Sequence, residues 1–523
     1  MRKLLLSACL TAAVLLAGCS APAPAPVQTE GSQSQDSLTG EQQSEAPTEN
    51  SAGATSSGST NHWVPEEIEQ DAVLIQLAGT SATTQAPGVL IGEGEIEITE
   101  PGSYALSGDF HGRISITAPG QVTLVLNEAS VTNPVGETLS FGTEGVHVFL
   151  APGADAALNG NPSILAGGDV YLDGAGYLKS RGQIAAAGDL VFASGTVQAT
   201  SEDTAIKAGG ELAFVGGAVS ATSDSVALRS SGDVLLSDGS LNIQSGKDGV
   251  ICEGSFTMRG GSLSVQAGDG SAKGNSSAQG VAAGKDLTIE AGAADVDAAG
   301  HALVAARTLT VSGGDLLAAS GRNGLRSAGD LQISGGTVTV SESEEGMEAA
   351  NLTISGGEVA VRARDDGLNG SAKHGAVSVE IAGGQVVIDA EGDGIDSNGA
   401  LTVSGGETTI FGPSAPKNGA LDADGELRLS GGTLIAMSAG EMERTPDTGE
   451  QAWIQADLAG DAGTAVAILA ADSPIATVTA TKPFTFIFFT GPQLKKDSEY
   501  TIQSGSESAL VRAVTGASKP AAG

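Results

Sequence analysis

Apolar residues recur at alternate positions in short runs, not at helical spacing. Leu287-Thr288-Ile289, Leu309-Thr310-Val311, Leu331-Gln332-Ile333, Leu352-Thr353-Ile354 and Leu401-Thr402-Val403 each set two aliphatic side chains on one side of an extended chain. A Gly-Gly or similar turn follows, then a second alternating run such as Val338-Thr339-Val340 or Val359-Ala360-Val361. Glycine suits that turn because it reaches backbone angles other residues resist. A third corner, Asp-Gly-Ile or a variant, closes the unit. The second glycine of successive turns, or its equivalent, falls at Gly195, Gly217, Gly239, Gly261, Gly292, Gly314, Gly336, Gly357, Gly384, Gly406 and Gly432. Six of the ten intervals are 22 residues and a seventh is 21, so one structural unit repeats from about 180 to 435.

Such a unit cannot bury its inner side alone, so units must stack. The pattern predicts an all-β fold: a right-handed, single-stranded parallel β-helix with about 22 residues per coil, capped at both ends. Propeller blades need longer units, and leucine-rich repeats another consensus. Ten coil intervals at about 4.8 Å predict a rod of roughly 50 Å. Residues 166–435 form the regular helix in this reading. Residues 63–165, with runs such as Val122-Thr123-Leu124-Val125-Leu126 and Val146-His147-Val148-Phe149-Leu150, supply an N-terminal cap and irregular first coils. Residues 436–505 form a C-terminal β cap that stops edge-to-edge growth, with Phe484, Phe486, Phe488 and Phe489 close together. Residues 506–523 are expected as a flexible tail.

Composition supports a solenoid. Aromatic residues are only 3 % and glycine is 76 of 523, so small aliphatics must fill the core. The formal charge of −37 excludes simple attraction to nucleic acid or anionic lipid and favours solubility, divalent cations, or both.

The N-terminus sets the expected compartment. Arg2 and Lys3 precede an apolar run, Leu4 to Leu16, that is too short to span a bilayer comfortably. It ends in Leu16-Ala17-Gly18-Cys19, which resembles the bacterial lipobox. That resemblance implies a signal peptide over 1–19, lipidation of Cys19 and an extracytoplasmic, membrane-anchored protein exposed at the cell surface. Residues 20–62 are mostly Ala, Pro, Ser, Thr, Gln, Glu and Gly, a composition that cannot bury enough apolar surface to fold. They read as a disordered tether with a reach of roughly 35 Å. Cys9 leaves with the signal and Cys252 stands alone, so no disulfide framework is expected.

Stacking brings like positions of neighbouring coils about 4.8 Å apart. Glu345, Asp366 and Asp393 then form one column at the Asp-Gly corner. Glu348, Asn369, Asp396 and Asp422 form a second, and Glu344 and Asp365 a third. Lys207, Arg229 and Arg326 occupy the second column's position in earlier coils. Stacked carboxylates repel, and a cation relieves them; calcium takes six to eight oxygens. Asn398 and Asp424 add oxygens nearby, although Asp396-x-Asn398-Gly399 and Asp422-x-Asp424-Gly425 lack the ligand spacing of an EF-hand. Spacing alone leaves two readings, a metal site or a solvated acidic face. Insertions near 268–278, 370–377 and 411–417 are expected to flank this corner; they either wall a groove or simply fall where a solenoid tolerates extra residues.

Several stretches resemble one family. They are Ile98-Thr99-Glu100-Pro101-Gly102-Ser103-Tyr104-Ala105-Leu106-Ser107-Gly108 with Val122 to Asn127, Glu344-Glu345-Gly346-Met347-Glu348, Asp365-Asp366-Gly367-Leu368-Asn369, and Gly392-Asp393-Gly394-Ile395-Asp396-Ser397-Asn398-Gly399. Lys482-Pro483-Phe484, Gly491-Pro492-Gln493-Leu494 and Tyr500-Thr501 complete the set. The chain is similar to bacterial carbohydrate-binding β-helix proteins that bind cellulose and pectin-like polymers and hold calcium. The resemblance implies a pectate-lyase-like fold, calcium, and polysaccharide binding without established catalysis. The acidic corner departs from the family in earlier coils, where Asn323 replaces an Asp and Gln279 and Ala302 mark coils with no acid.

Three functions are consistent with these residues. The first is a monomeric, non-catalytic module that binds an acidic or neutral polysaccharide along the solenoid. The second is a polysaccharide lyase, for which Arg362, Arg364, Lys373 and His374 are the crowded candidates to bind substrate or take a proton. Ordinary surface charge pairing is the simpler account of those four. The third is a structural adhesin. No zinc, nucleotide or serine-nucleophile signature occurs.

Overall fold

The computed structural model describes residues 72–143, 145–273 and 277–517. The expected signal peptide, Cys19 and the expected tether lie outside the described residues.

The chain is a β-solenoid of three-faced coils. Ile206–Ala208, Leu212–Phe214 and Ala218–Ser223 make up one coil, on the first, second and third faces respectively. Ile206, Ala208, Leu212, Phe214, Val219 and Ala221 point inward and are buried. Each strand pairs in parallel with its equivalent 22 residues on: Ile206 with Leu228, Leu212 with Val234, and Ala218 with Ser240. The first face is a sheet of sixteen strands running from Val89–Gly92 to Leu421–Ala423, parallel from Glu95–Ile98 onward. The second and third faces merge into one sheet of 28 strands, because Asn351–Ala363, Ser378–Ala390, Ala400–Phe411 and Leu427–Ser438 each run through both. No α-helix occurs among the described residues.

The eleven turn glycines picked out by spacing all adopt positive φ, from 70° to 92°. The cause is steric. A Cβ on Gly217 would lie 2.4 Å from the carbonyl oxygen of Gly195, one coil below. The aligned glycines therefore let successive turns stack. Stacking also pairs the few aromatic residues, with the Phe192 and Phe214 rings parallel at 5.2 Å between centroids.

Both ends are closed. Val73–Gly79 pairs in parallel with Gly102–His111 and forms a hairpin with Ser81–Thr84. At the other end, Phe486–Thr490 pairs antiparallel with Leu427–Ser438 and with Trp453–Ala456. Trp453 and Phe488 complete the solenoid core, while Ile487 and Phe489 join a second core against Phe411, Ile435 and Met437 on the outer side of the third face. An antiparallel sheet of Ala465–Ala470, Ser473–Thr479, Glu499–Ser504 and Glu507–Arg512 completes this cap.

Two expectations are corrected. Glu507–Arg512 falls in the expected tail, yet it pairs with Glu499–Ser504 and buries Val511 in the cap core. Of the three insertions, the described residues of 268–278 and those of 411–417 sit at the corner between third and first faces, where the acids are. Residues 370–377 instead follow Leu368–Gly370 and lead to Ser378–Ala390, so they lie at the opposite end of the first face.

Candidate functional site

The first-face strands are short, commonly three residues, so each coil presents one central outward side chain there. Strand register aligns Lys207, Arg229, Ile251, Ala282, Val304, Arg326, Glu348, Asn369, Asp396 and Asp422 in one ladder along the solenoid. The sign changes between Arg326 and Glu348. The corner column is also in step: the Gly346 N–H donates to Asp366 O at 2.9 Å and the Gly367 N–H to Asp393 O at 2.9 Å. Asp365 N–H donates to Glu344 O at 2.8 Å, which aligns the outermost pair; both side chains are exposed.

The acids divide by their partners. At the lower end, Asn323 Nδ2 donates to Glu345 Oε2 at 3.0 Å and to Glu348 Oε2 at 2.6 Å, and Arg326 Nε lies 3.0 Å from that same Glu348 oxygen. Protein groups already occupy these two glutamates. Higher up, Asp366 Oδ1 accepts the Asp393 N–H at 2.7 Å and Asp393 Oδ1 accepts the Gly419 N–H at 2.6 Å. Each of these aspartates thus caps the next coil with one oxygen. Asp393, Asp396 and Asp422 bring carboxylate oxygens within 4.8 Å of one another. Asn369, one coil below Asp396, is only 9 % exposed, and its buried Oδ1 has no hydrogen-bond partner.

Asn398 and Asp424 lie past the first-face strands, at the opposite corner. Asn398 Nδ2 donates to Gly370 O at 3.2 Å, a structural bond. Asp424 is exposed and acts on Asp396 as a neighbouring charge.

Burial and crowding hold protons on this corner. Burial, reinforced by Glu348, Asp365 and Glu344, pushes the Glu345 carboxyl up to about 7. Burial also pushes Asp366 up to about 7; the Asp393 N–H opposes it, while Asp365, Asp393 and Asp396 add to it. Asp396 rises to about 6 through burial and then the charges of Asp393, Asp422 and Asp424. Asp393 is raised as well, chiefly by burial.

Sequence reasoning missed Glu443. It lies in the loop after the last coil, outside any repeat. Both its carboxylate oxygens accept the Ala420 N–H, at 3.3 and 3.2 Å, and Oε1 accepts the Ser438 hydroxyl. Burial pushes it up to about 7, with nearby Asp393 contributing. It caps the acidic column where a further coil would have supplied an aspartate. It stands among Glu441, Asp447 and Glu450 with no repeat spacing to single it out.

The cationic candidates do not converge on the acids. Arg362 Nη2 lies 3.6 Å from Asp389 Oδ2 on the third face. Arg364 donates to Ser343 O and Gly321 O at 3.2 and 3.0 Å and lies 3.9 Å from Glu342. Lys373 and His374 are exposed on the insertion at the opposite corner.

The carboxylates gathered at Asp393, Asp396 and Asp422, and the Asn369 carbonyl beside Asp396 in the ladder, offer only hard oxygens, a set that fits calcium or a similar cation and not a soft metal.

A stacked parallel solenoid with one acidic, partly desolvated corner defines the class of protein. The chain belongs to the family of carbohydrate-binding domain-containing proteins, whose model matches residues 92–324 and 317–452. No curated protein matches the chain. Among solved structures it is similar to a polysaccharide lyase-like protein from C. thermocellum, a gadolinium derivative, at 18% identity over 69% of this chain and 97% of that one. The TM-score is 0.17, too low for that likeness to carry an argument.

Proposed function

We propose that the protein is a cell-surface lipoprotein that binds polysaccharide without cleaving it, through calcium held on the acidic corner of its C-terminal coils. The observation that carries this reading is the Asp393–Asp396–Asp422 cluster, with the buried, unpartnered Asn369 oxygen one coil away. Carboxylates this close and this desolvated repel one another unless protonated or paired with a cation. Asp393, Asp396, Asp422 and Asn369 would hold the ion. When bound, calcium supplies positive charge that offsets these carboxylates and remains open to a polymer's own carboxylate. A chain of net charge −37 otherwise repels a polyuronate, so acidic-polymer binding should require calcium. Cys19 would carry the lipid anchor and the tether would hold the rod off the membrane.

The engagement of Arg362 and Arg364 with protein acceptors, and the distance of Lys373 and His374 along the fold, favour binding over β-elimination. The test is sedimentation with polygalacturonate and with cellulose, in calcium or chelator, for wild type and an Asp396→Asn/Asp422→Asn variant. Retention on polygalacturonate should vanish in chelator and in the variant. Retention on polygalacturonate indifferent to both refutes the calcium bridge, and no retention on either polymer leaves an adhesin. Ultraviolet absorbance from unsaturated uronate selects a lyase.

A further inference from the structure

The Lys482-Pro483-Phe484 motif has a place in this geometry. Phe484 is buried in the cap core and exchanges both backbone hydrogen bonds with Gly460, at 2.9 and 3.0 Å. Pro483 restricts the backbone of the lysine before it. Lys482, with a side chain only 12% exposed, leaves the cap and reaches the end of the third-face strand Ser378–Ala390. Its ammonium lies 3.0 Å from Asp389 Oδ1 and 3.2 Å from Glu391 Oε1, and it donates to Ala390 O. Those three consecutive residues are followed by Gly392 and Asp393.

Glu391 has a second partner. Its Oε2 accepts the Ser414 hydroxyl at 2.8 Å and the Ser414 N–H at 3.3 Å. Burial alone would raise the Glu391 carboxyl; Ser414 and Lys482 outweigh it and hold it lowered. Ser414 belongs to the insertion that returns to Gly419, whose N–H donates to Asp393 Oδ1. Polar contacts therefore run from the cap through Lys482 and Glu391 to Ser414, and the chain itself carries Glu391 to Asp393 and Ser414 to Gly419, on the two sides of the Asp393 carboxylate.

We propose that Lys482 is a positioning residue for the acidic corner: it fastens the C-terminal cap to the strand end and insertion that present Asp393. The mechanical link stands on the contacts above, and its consequence for calcium rests on the function proposed here. Removing the ammonium frees Glu391, lets the 411–417 insertion swing and loosens the hydrogen bond that sets the Asp393 carboxylate.

The experiment is hydrogen exchange by mass spectrometry on the full chain in chelator, for wild type, Lys482→Met, Lys482→Arg and Ser414→Ala. Lys482→Met should speed exchange by about tenfold in peptides covering 390–396 and 414–422 and leave 206–267 unchanged. Lys482→Arg should restore protection, and Ser414→Ala should loosen the same two peptides by less. Trp453 fluorescence checks that the cap stays docked; where Lys482→Met undocks it, Ser414→Ala decides. Unchanged exchange at 390–396 in both variants overturns the proposal, as does an equal rise at 206–267. In calorimetric titration with calcium, Lys482→Met should bind about tenfold more weakly. A wild type that binds no calcium refutes the proposed function, and the exchange result still decides the role of Lys482.

Discussion

Replacing Asp396 by asparagine should change stability in opposite directions with and without calcium. Asp396 is half-buried among Asp393, Asp422 and Asp424, and its carboxyl rises from an ordinary 3.8 to about 6. The folded protein therefore holds this proton more tightly than the unfolded chain. The associated stability is present in full below pH 3.8 and is lost as pH rises through about 6. At about 1.4 kcal/mol per pH unit the loss is roughly 3 kcal/mol, and solvent screening of a half-exposed group leaves about 1 kcal/mol. Asparagine is close in shape and carries no charge, so at pH 8 in chelator the variant should be more stable by about that amount. Calcium held as proposed, at a hundred times its dissociation constant, would add about 2.7 kcal/mol to the wild type. The variant, lacking one ligand, should receive little of this and become the less stable protein. Urea denaturation at pH 4.5 and pH 8, with chelator and with calcium, measures all four cases. At pH 4.5 in chelator, inside the titration window, the difference should shrink to about a third of its pH 8 size. An unchanged order of stability at pH 8 with and without calcium refutes the argument.

Three further outcomes follow from packing and pairing. Gly217→Ala places a Cβ 2.4 Å from the Gly195 carbonyl oxygen at a φ of 73°, and should cost about 2 kcal/mol in urea denaturation. Phe488→Ala empties the end of the core beside Trp453 and should cost about 3–5 kcal/mol, with self-association visible by light scattering as the last coil's edge opens. Asn323→Ala removes the shared donor of Glu345 and Glu348; it should cost about 2 kcal/mol at pH 8 and less at pH 5, where Glu345, pushed up to about 7, is protonated.

Much of the solenoid was legible because one constraint recurs at fixed spacing. The glycine positions mark where a side chain would strike the turn below, and the Leu-x-Ile runs mark the inward pairs. The same periodicity placed Glu348, Asn369, Asp396 and Asp422 in one ladder, as the strand register has them. What escaped is set by contacts with no period. Glu443 comes from a loop beyond the last coil. Asn323 and Arg326 engage the glutamates of the following coil through side-chain geometry that spacing does not encode. The corner of the 370–377 insertion is not legible in the sequence because a three-residue first-face strand separates the two corners by very little chain. Glu507–Arg512 is too short and polar to stand out beside the Phe-rich strand that dominates the cap.

The stacked turn glycines also fix how this molecule can change length. Ser240 pairs with Ser262, so removal of 240–261 would join Gly239 to a residue that already occupies the matching place one storey up. Whole storeys can be gained or lost there without disturbing those above or below, whereas a fractional cut would turn the inward side chains out. Between its two closed ends the rod is thus a ruler with fixed graduations. The acidic corner stays level with the C-terminal end however many graduations are added beneath it.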